Sequence, residues 1–233
     1  MSVGHDVLFG PPALALIKEV LRSDHDLLMR SHARDLVARG PKPFGDVARQ
    51  LFRQCPCPVW AVGPGVLPQY PSVVGAVQPN EEDPTERELN TRVIELASFI
   101  ADLERGTFTL LHAWRPLAES GLLNQHSSED FSAYLSAAER RAAESLRALR
   151  DSFGRSLADV HIDLQRGSPE QVIPEFVVAQ GIDLVVVGTL ARTGVAGLVI
   201  GNTAERLLHK IPCSVLAVKP RGFRSPVRLE ELG

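Results

Sequence analysis

Between residues 71 and 220 the apolar positions follow two alternating rhythms. Short, nearly unbroken runs read as strands: "SVVGAV" from Ser72, "TFTLLHAW" from Thr107, "DVHIDLQRG" from Asp159, "DLVVVG" from Asp183 and "CSVLAV" from Cys213. Runs of the "DLVVVG" kind suit strands buried on both faces of a parallel sheet. Longer segments between them carry apolar residues at helical spacing. The first opens on Asp83 with Glu86 three residues on and Pro84 at the first helical position, a capping pattern, and is expected to bury Leu89, Val93, Leu96, Ala97 and Ile100. The second is expected to run from Ser128 to Phe153, burying Phe131, Leu135, Ala138, Ala142, Leu146 and Leu149. A third starts at "SPEQ", with Ser168 as its cap, and ends near Gly181; a fourth, "NTAERLLHKI", starts at Asn202. Strict alternation of strand and helix predicts an α/β fold with a doubly wound, parallel, five-stranded sheet.

The pattern then recurs. "GDVARQLFRQCPCPVWAV" from Gly45 and "GNTAERLLHKIPCSVLAV" from Gly201 are identical at 8 of 18 positions, 156 residues apart. "GPP" at Gly10 stands sixteen residues before "DLLM" at Asp26, and "GSP" at Gly167 stands sixteen before "DLVV" at Asp183. The same order of elements therefore occurs twice. The expected organisation is a truncated C-terminal part of a first repeat over residues 1–65, a complete second repeat over 71–220, and a tail over 221–233. The first repeat enters at about its third strand. It is expected to leave an apolar edge beside "DLLM" that favours self-association.

Composition narrows the classes without choosing among them. A net charge of -3 and the absence of a Lys/Arg block argue against a nucleic-acid partner. No apolar run reaches the ~18 residues of a membrane span, and the N-terminus has no basic secretory leader. Three cysteines, Cys55, Cys57 and Cys213, without a spaced framework fit reduced thiols and a cytoplasmic location. "CPC" has no companion Cys/His pair at ligand spacing, so two buried or half-buried thiols are expected and no metal. His112 lies in an apolar strand and reads as a satisfied core residue. The acidic run Glu81, Glu82 and Asp83 reads as a solvated turn before a helix start. Neither a P-loop nor a dinucleotide fingerprint is present, and no nucleophile–base pair is evident.

The remaining candidate is "GTLARTGVAGLVIGN", Gly188 to Asn202, a glycine-rich turn between a buried strand and a helix, the setting in which phosphate is often held. With the "TAERLLHKIPCSVLAVKP" that follows, it resembles the universal stress protein family. The duplication, "GNTAE" and the tail "KPRGFRSPV" resemble the tandem, E-type branch of that family. The resemblance implies an adenine nucleotide alpha-hydrolase-like fold, one complete repeat plus one N-terminally truncated repeat. It also implies antiparallel pairing of "VWAV" with "VLAV", the family's dimer contact turned into an internal pseudo-dimer.

Nucleotide-binding members carry G-x2-G-x9-G-[ST] in this loop and an acidic residue after the first strand. Here Gly188 and Gly201 match, Ala191 replaces the second glycine, Asn202 replaces the hydroxyl residue and Gln78 replaces the acid. Thr189, Arg192 and Thr203 complete the candidate set. Ala191 hinders close backbone approach, whereas the helix start at Asn202 still offers free N–H groups. Asn202 also suits an N-cap, with Glu205 three residues on. In the first repeat Ser31, Pro41, Pro43 and Asp46 disfavour phosphate altogether. The resemblance thus implies a non-enzymatic stress protein that supports survival, including resistance to DNA-damaging agents, by binding a partner or small ligand. Two alternatives stand beside it. One is an ATP-binding member with slow, Mg²⁺-assisted hydrolysis at Gly188, Arg192, Gly201 and Asn202. The other is a carrier of small ligands in an apolar cleft between the repeats.

Overall fold

A computed structural model describes residues 3–31, 44–63, 69–80, 82–116, 128–154, 160–189 and 210–229. Seven strands form one sheet: β1 (Leu28–Ser31), β2 (Val59–Val62), β3 (Ser72–Ala76), β4 (Thr107–Trp114), β5 (His161–Arg166), β6 (Leu184–Gly188) and β7 (Ser214–Val218). Their order across the sheet is β1-β2-β7-β6-β3-β4-β5. Every neighbouring pair is parallel except β2 and β7, which run antiparallel with Val59 opposite Ala217, Trp60 opposite Leu216 and Ala61 opposite Val215. The described helices are α1 (Pro12–Ser23), α2 (Asp46–Gln54), α3 (Pro84–Glu104), α4 (Ser128–Asp151) and α5 (Pro169–Gln180). None is long and apolar enough to cross a membrane.

The sheet's unbroken apolar runs follow from its two covered faces. Along β6, Val185 and Val187 point into one core while Leu184 and Val186 point into the other; β7 divides in the same way between Val215 with Ala217 and Leu216 with Val218. On the first face, α1, α2 and α5 contribute Ile17, Leu51, Phe52, Ile173 and Val177 to one continuous core. That core spans residues Ala13 to Ala217, so the two halves of the chain share it. The opposite face is covered by α3 and α4, with Val93, Ile94, Ala97 and Leu146 closed to solvent. At the amino-terminal ends of the strands Asp183 ties three of them together. Its N–H donates to Ser72 O, its carboxylate accepts from Ser72 N at 3.0 Å, and its carbonyl accepts from Ser214 N.

Helix ends are set by local chemistry. Asp83 caps α3, its Oδ1 accepting from Thr85 N at 2.8 Å and Glu86 N at 3.3 Å. Ser168 occupies the cap position of α5 but makes no capping bond; its hydroxyl donates to Gln171 Oε1 at 2.9 Å instead. Gly181 ends α5 in the left-handed region (φ 61, ψ 43), a conformation that other residues adopt only with strain. The stripe expected on α3 needs two changes. Asn90, Ile94 and Ala101 are also buried, and Leu96 is only half-buried. The stripe expected on α4 is likewise looser, because Leu146 is closed while Phe131, Leu135, Ala138, Ala142 and Leu149 are half-buried. The cause is position: α4 lies over β5, the terminal strand, and a groove of about 570 Å³ remains between them above Ile162 and Leu164. At the other end of the sheet β1 is the terminal strand, with Met29 58% exposed and Phe9 of the preceding segment 90% exposed.

Candidate functional site

In a sheet of this kind ligands bind beyond the carboxyl ends of the strands, where chain connections leave in opposite directions. Here that point lies between β3 and β6, whose register runs from Val73 opposite Leu184 to Ala76 opposite Val187. The ends of these strands carry Gln78, Gly188 and Thr189. Of the sequence-derived candidates these three lie among the described residues; Ala191, Arg192, Gly201, Asn202 and Thr203 lie outside them, as does the helix expected from Asn202.

Each of the three is held by a neighbour. Gln78 exposes its side chain, but its backbone is gripped by Asn90 of α3. Asn90 Oδ1 accepts from Gln78 N at 3.1 Å, and its Nδ2 donates to Gln78 O at 2.7 Å. Asn90 is only 5% exposed, so both amide groups find their partners inside the protein. Gly188 is covered by Leu89 from the first turns of α3. A Cβ at Gly188 would lie 2.4 Å from Leu89 Cδ2 and 2.6 Å from Cγ, so this close approach requires glycine. Thr189 is 2% exposed. Its N–H and its hydroxyl both donate to Val218 O, at 3.0 and 3.2 Å, and its Oγ1 accepts from Lys219 Nζ at 2.8 Å.

Lys219 is the residue that the sequence did not bring forward. It follows β7 and is 3% exposed. Its ammonium also donates to Phe52 O near the end of α2, and it lies 4.9 Å from the ring centroid of Phe223. Its carbonyl accepts from Arg92 Nη1 of α3, while Glu88 Oε1 accepts from Arg221 N at 2.6 Å, so the segment after β7 is fastened to α3. Burial pulls the Lys219 amine down from 10.5 to about 7, against the opposing pull of Cys55 and Cys57. A lysine after a strand gives no sequence signal of burial; long cationic side chains there usually reach water.

The two thiols of "CPC" are buried together, Sγ to Sγ 3.5 Å apart. Cys55 is pushed above the ordinary thiol range, first by the hydrogen bond it shares with Cys57 and then by burial; that same bond pulls Cys57 down. Cys213 is pushed up to about 12 by burial. Its Sγ lies 3.4 Å from Ser214 O. His112 is a satisfied core residue, its Nδ1 bonded to Val77 O at 3.0 Å and its basicity lowered by burial. Among the described residues no group of three or more metal-ligating side chains occurs. Asp46 begins α2 in an ion pair with Arg49.

Among the described strand-end residues, the Thr189 hydroxyl is bonded on both sides and Leu89 packs over Gly188.

The fold and this strand-end site define an α/β protein with a mostly parallel sheet. The universal stress protein family profile matches residues 84–219. Universal stress protein E of Photorhabdus laumondii is 31% identical over 220 residues, covering 93% of this chain and 68% of the relative. Universal stress protein E of Escherichia coli K12 is 29% identical over 221 residues, covering 94% and 69%. A solved structure from Pseudomonas aeruginosa PAO1, described as functionally unknown, superposes with a TM-score of 0.71 at 25% identity, covering 93% of this chain and 69% of that one. This chain belongs to the universal stress protein family, and its similarity to the E-type proteins extends over most of its length.

Proposed function

We propose that this protein is a cytoplasmic stress-response factor of tandem type. It acts without turnover, by binding a partner or small ligand, and supports survival that includes resistance to DNA-damaging agents. The observation that carries the non-enzymatic reading is the state of Thr189. The Thr189 hydroxyl, the one side-chain hydroxyl among the described candidate residues, is bound by Val218 O and Lys219 Nζ in the protein's own interior. A nucleotide that engaged this hydroxyl would have to break those bonds and leave the buried Lys219 amine short of a partner, which is costly.

Repetition within the sheet supports the tandem reading. Helices α1 and α5 are both 12 residues long and start with proline. Leu28 pairs with Val59 as Val185 pairs with Val215. Trp60 and Leu216, which face each other at the antiparallel junction, occupy matching positions in the two repeats, since 216 − 60 = 156. The junction thus has the register of a pseudo-two-fold. The shared core fills the space between the two halves, which disfavours a ligand cleft there.

Calorimetry with ATP and Mg²⁺ tests the reading. The unmodified chain is expected to bind no tighter than about the millimolar range, and Gln78→Asp, Ala191→Gly and Asn202→Ser together are expected to tighten binding by at least about tenfold. Micromolar binding by the unmodified chain would overturn the proposal. Survival of a deletion strain after treatment with a DNA-damaging agent tests the physiological half. Unchanged survival relative to the complemented strain refutes it.

A further inference from the structure

We propose that Cys55 and Cys57 form a peroxide-responsive dithiol, oxidised by a hydroperoxide to a disulfide within the chain and restored by a thiol reductant. The inference rests on geometry independent of the strand-end site. Cys55 follows the last turn of α2, Pro56 turns the chain, and Cys57 precedes β2, so that two residues near in sequence bring both sulfurs into one pocket at 3.5 Å. Residues two apart in an extended strand share a face but stand two rises, roughly 6.5 Å, apart; this turn draws their sulfurs closer.

The surroundings suit the chemistry. The Lys219 amine sits against the end of α2 through its bond to Phe52 O, and when protonated it favours the Cys55 thiolate. At Cys57 the hydrogen bond shared with Cys55 favours the thiolate, the reactive form, against burial and the nearby Asp26 carboxylate. The two sulfurs are not equivalent in access: Cys57 is 8% exposed and Cys55 is 0%. Cys57 therefore meets the oxidant first and Cys55 resolves.

The steps balance. The Cys57 thiolate attacks one oxygen of the hydroperoxide, the S–O bond forms as the O–O bond breaks, and the departing alkoxide takes a proton to become an alcohol. The Cys55 sulfur then attacks the sulfur of the resulting sulfenic acid. The S–S bond forms, the S–O bond breaks, and hydroxide leaves with the Cys55 proton as water. Two thiols and one hydroperoxide give one disulfide, one alcohol and one water. The sulfurs lose two electrons and the peroxide gains them.

Cys213 supplies an internal control. It occupies the position that matches Cys57 in the second repeat (213 − 57 = 156), yet where Cys57 has a second thiol beside it, Cys213 Sγ has Ser214 O. In place of Cys55 that repeat has Ile211.

The full chain is treated with hydrogen peroxide, denatured in a maleimide that blocks free thiols, and weighed intact. Of its three cysteines, one is expected to be blocked, in a chain lighter by two hydrogens before labelling. Peptide mapping is expected to link Cys55 to Cys57, and pretreatment with dithiothreitol should restore three labels. The rate should rise in proportion to peroxide concentration. In Cys55→Ser, Cys57 should stop at the sulfenic acid and be captured by dimedone. The proposal is overturned if Cys213 oxidises as fast as the pair, or if the disulfides join separate molecules. It is equally overturned if the rate is independent of peroxide and equal to the rate of global unfolding.

Discussion

Replacing Lys219 with methionine keeps most of the length of the buried side chain and removes its one titrating group. The amine is 3% exposed, and burial lowers it from 10.5 to about 7. Between those values the unfolded chain holds a proton that the folded chain has given up, so stability rises with pH through this window, by about 1.4 kcal/mol per unit. Below pH 7 the lysine is protonated in both states, and the full cost of burying its charge is present. From pH 7 to pH 9 the wild type should therefore gain about 2 kcal/mol relative to Lys219→Met, with little relative change from pH 5 to pH 6.5. The groups facing the amine are Phe52 O, the Thr189 hydroxyl, the Phe223 ring and the thiols of Cys55 and Cys57. The thiols can titrate in the same range, so the comparison is repeated in a Cys55→Ser, Cys57→Ser background. Urea denaturation of each pair across pH 5–9 measures the difference. A flat difference from pH 7 to pH 9 would mean that the three contacts hold the group as an ammonium, and the argument from burial would fail. A difference that grows in favour of methionine as pH rises would reverse its sign.

Two further substitutions probe the frame around the strand ends. Gly188→Ala should destabilise by about 1–3 kcal/mol, because its methyl meets Leu89 at 2.4 Å, and Leu89→Ala in the same chain should recover part of that loss; strict additivity in the double-mutant cycle would disprove the contact. Asp83→Ala removes the acceptor for Thr85 N and Glu86 N and should cost about 0.5–2 kcal/mol in denaturation, whereas Asp83→Asn should cost much less.

Much of the architecture was legible because it depends on periodicity. "DLVVVG" announced a strand buried on both faces and "CSVLAV" a last strand, and the sheet places them side by side at its centre. The antiparallel contact between "VWAV" and "VLAV" was legible only through family resemblance, since nothing in four apolar residues specifies a partner. Side-chain burial was less legible where it depends on place in the sheet. The α4 stripe has the same spacing as a core helix, but its position over the terminal strand leaves most of it half-covered. The candidate site was the hardest part to read. Sequence drew attention to glycines and loop residues, whereas the described site is governed by Asn90, Leu89 and Lys219, which reach it from a helix and from beyond β7. Their roles depend on long-range contacts with no local signature. Asn90, a polar residue beside an apolar stripe, carried the one hint available. Ser168 shows the converse: its capping signal was correct in position, yet Gln171 claimed the hydroxyl.

The antiparallel junction of β2 with β7 has a consequence for how this sheet holds together. Both strands belong to one chain, so their meeting is not an encounter between molecules, and dilution cannot part them. The two sides are also free to differ. Across a true two-fold axis a central residue must fit against its own copy, whereas here the bulky Trp60 is met by the slimmer Leu216. The same freedom leaves Lys219 on one side only: the position that matches it is Gly63 (219 − 63 = 156), where a side chain would lie within 2.9 Å of the Cys213 backbone. A symmetric pair would have had to bury the amine twice.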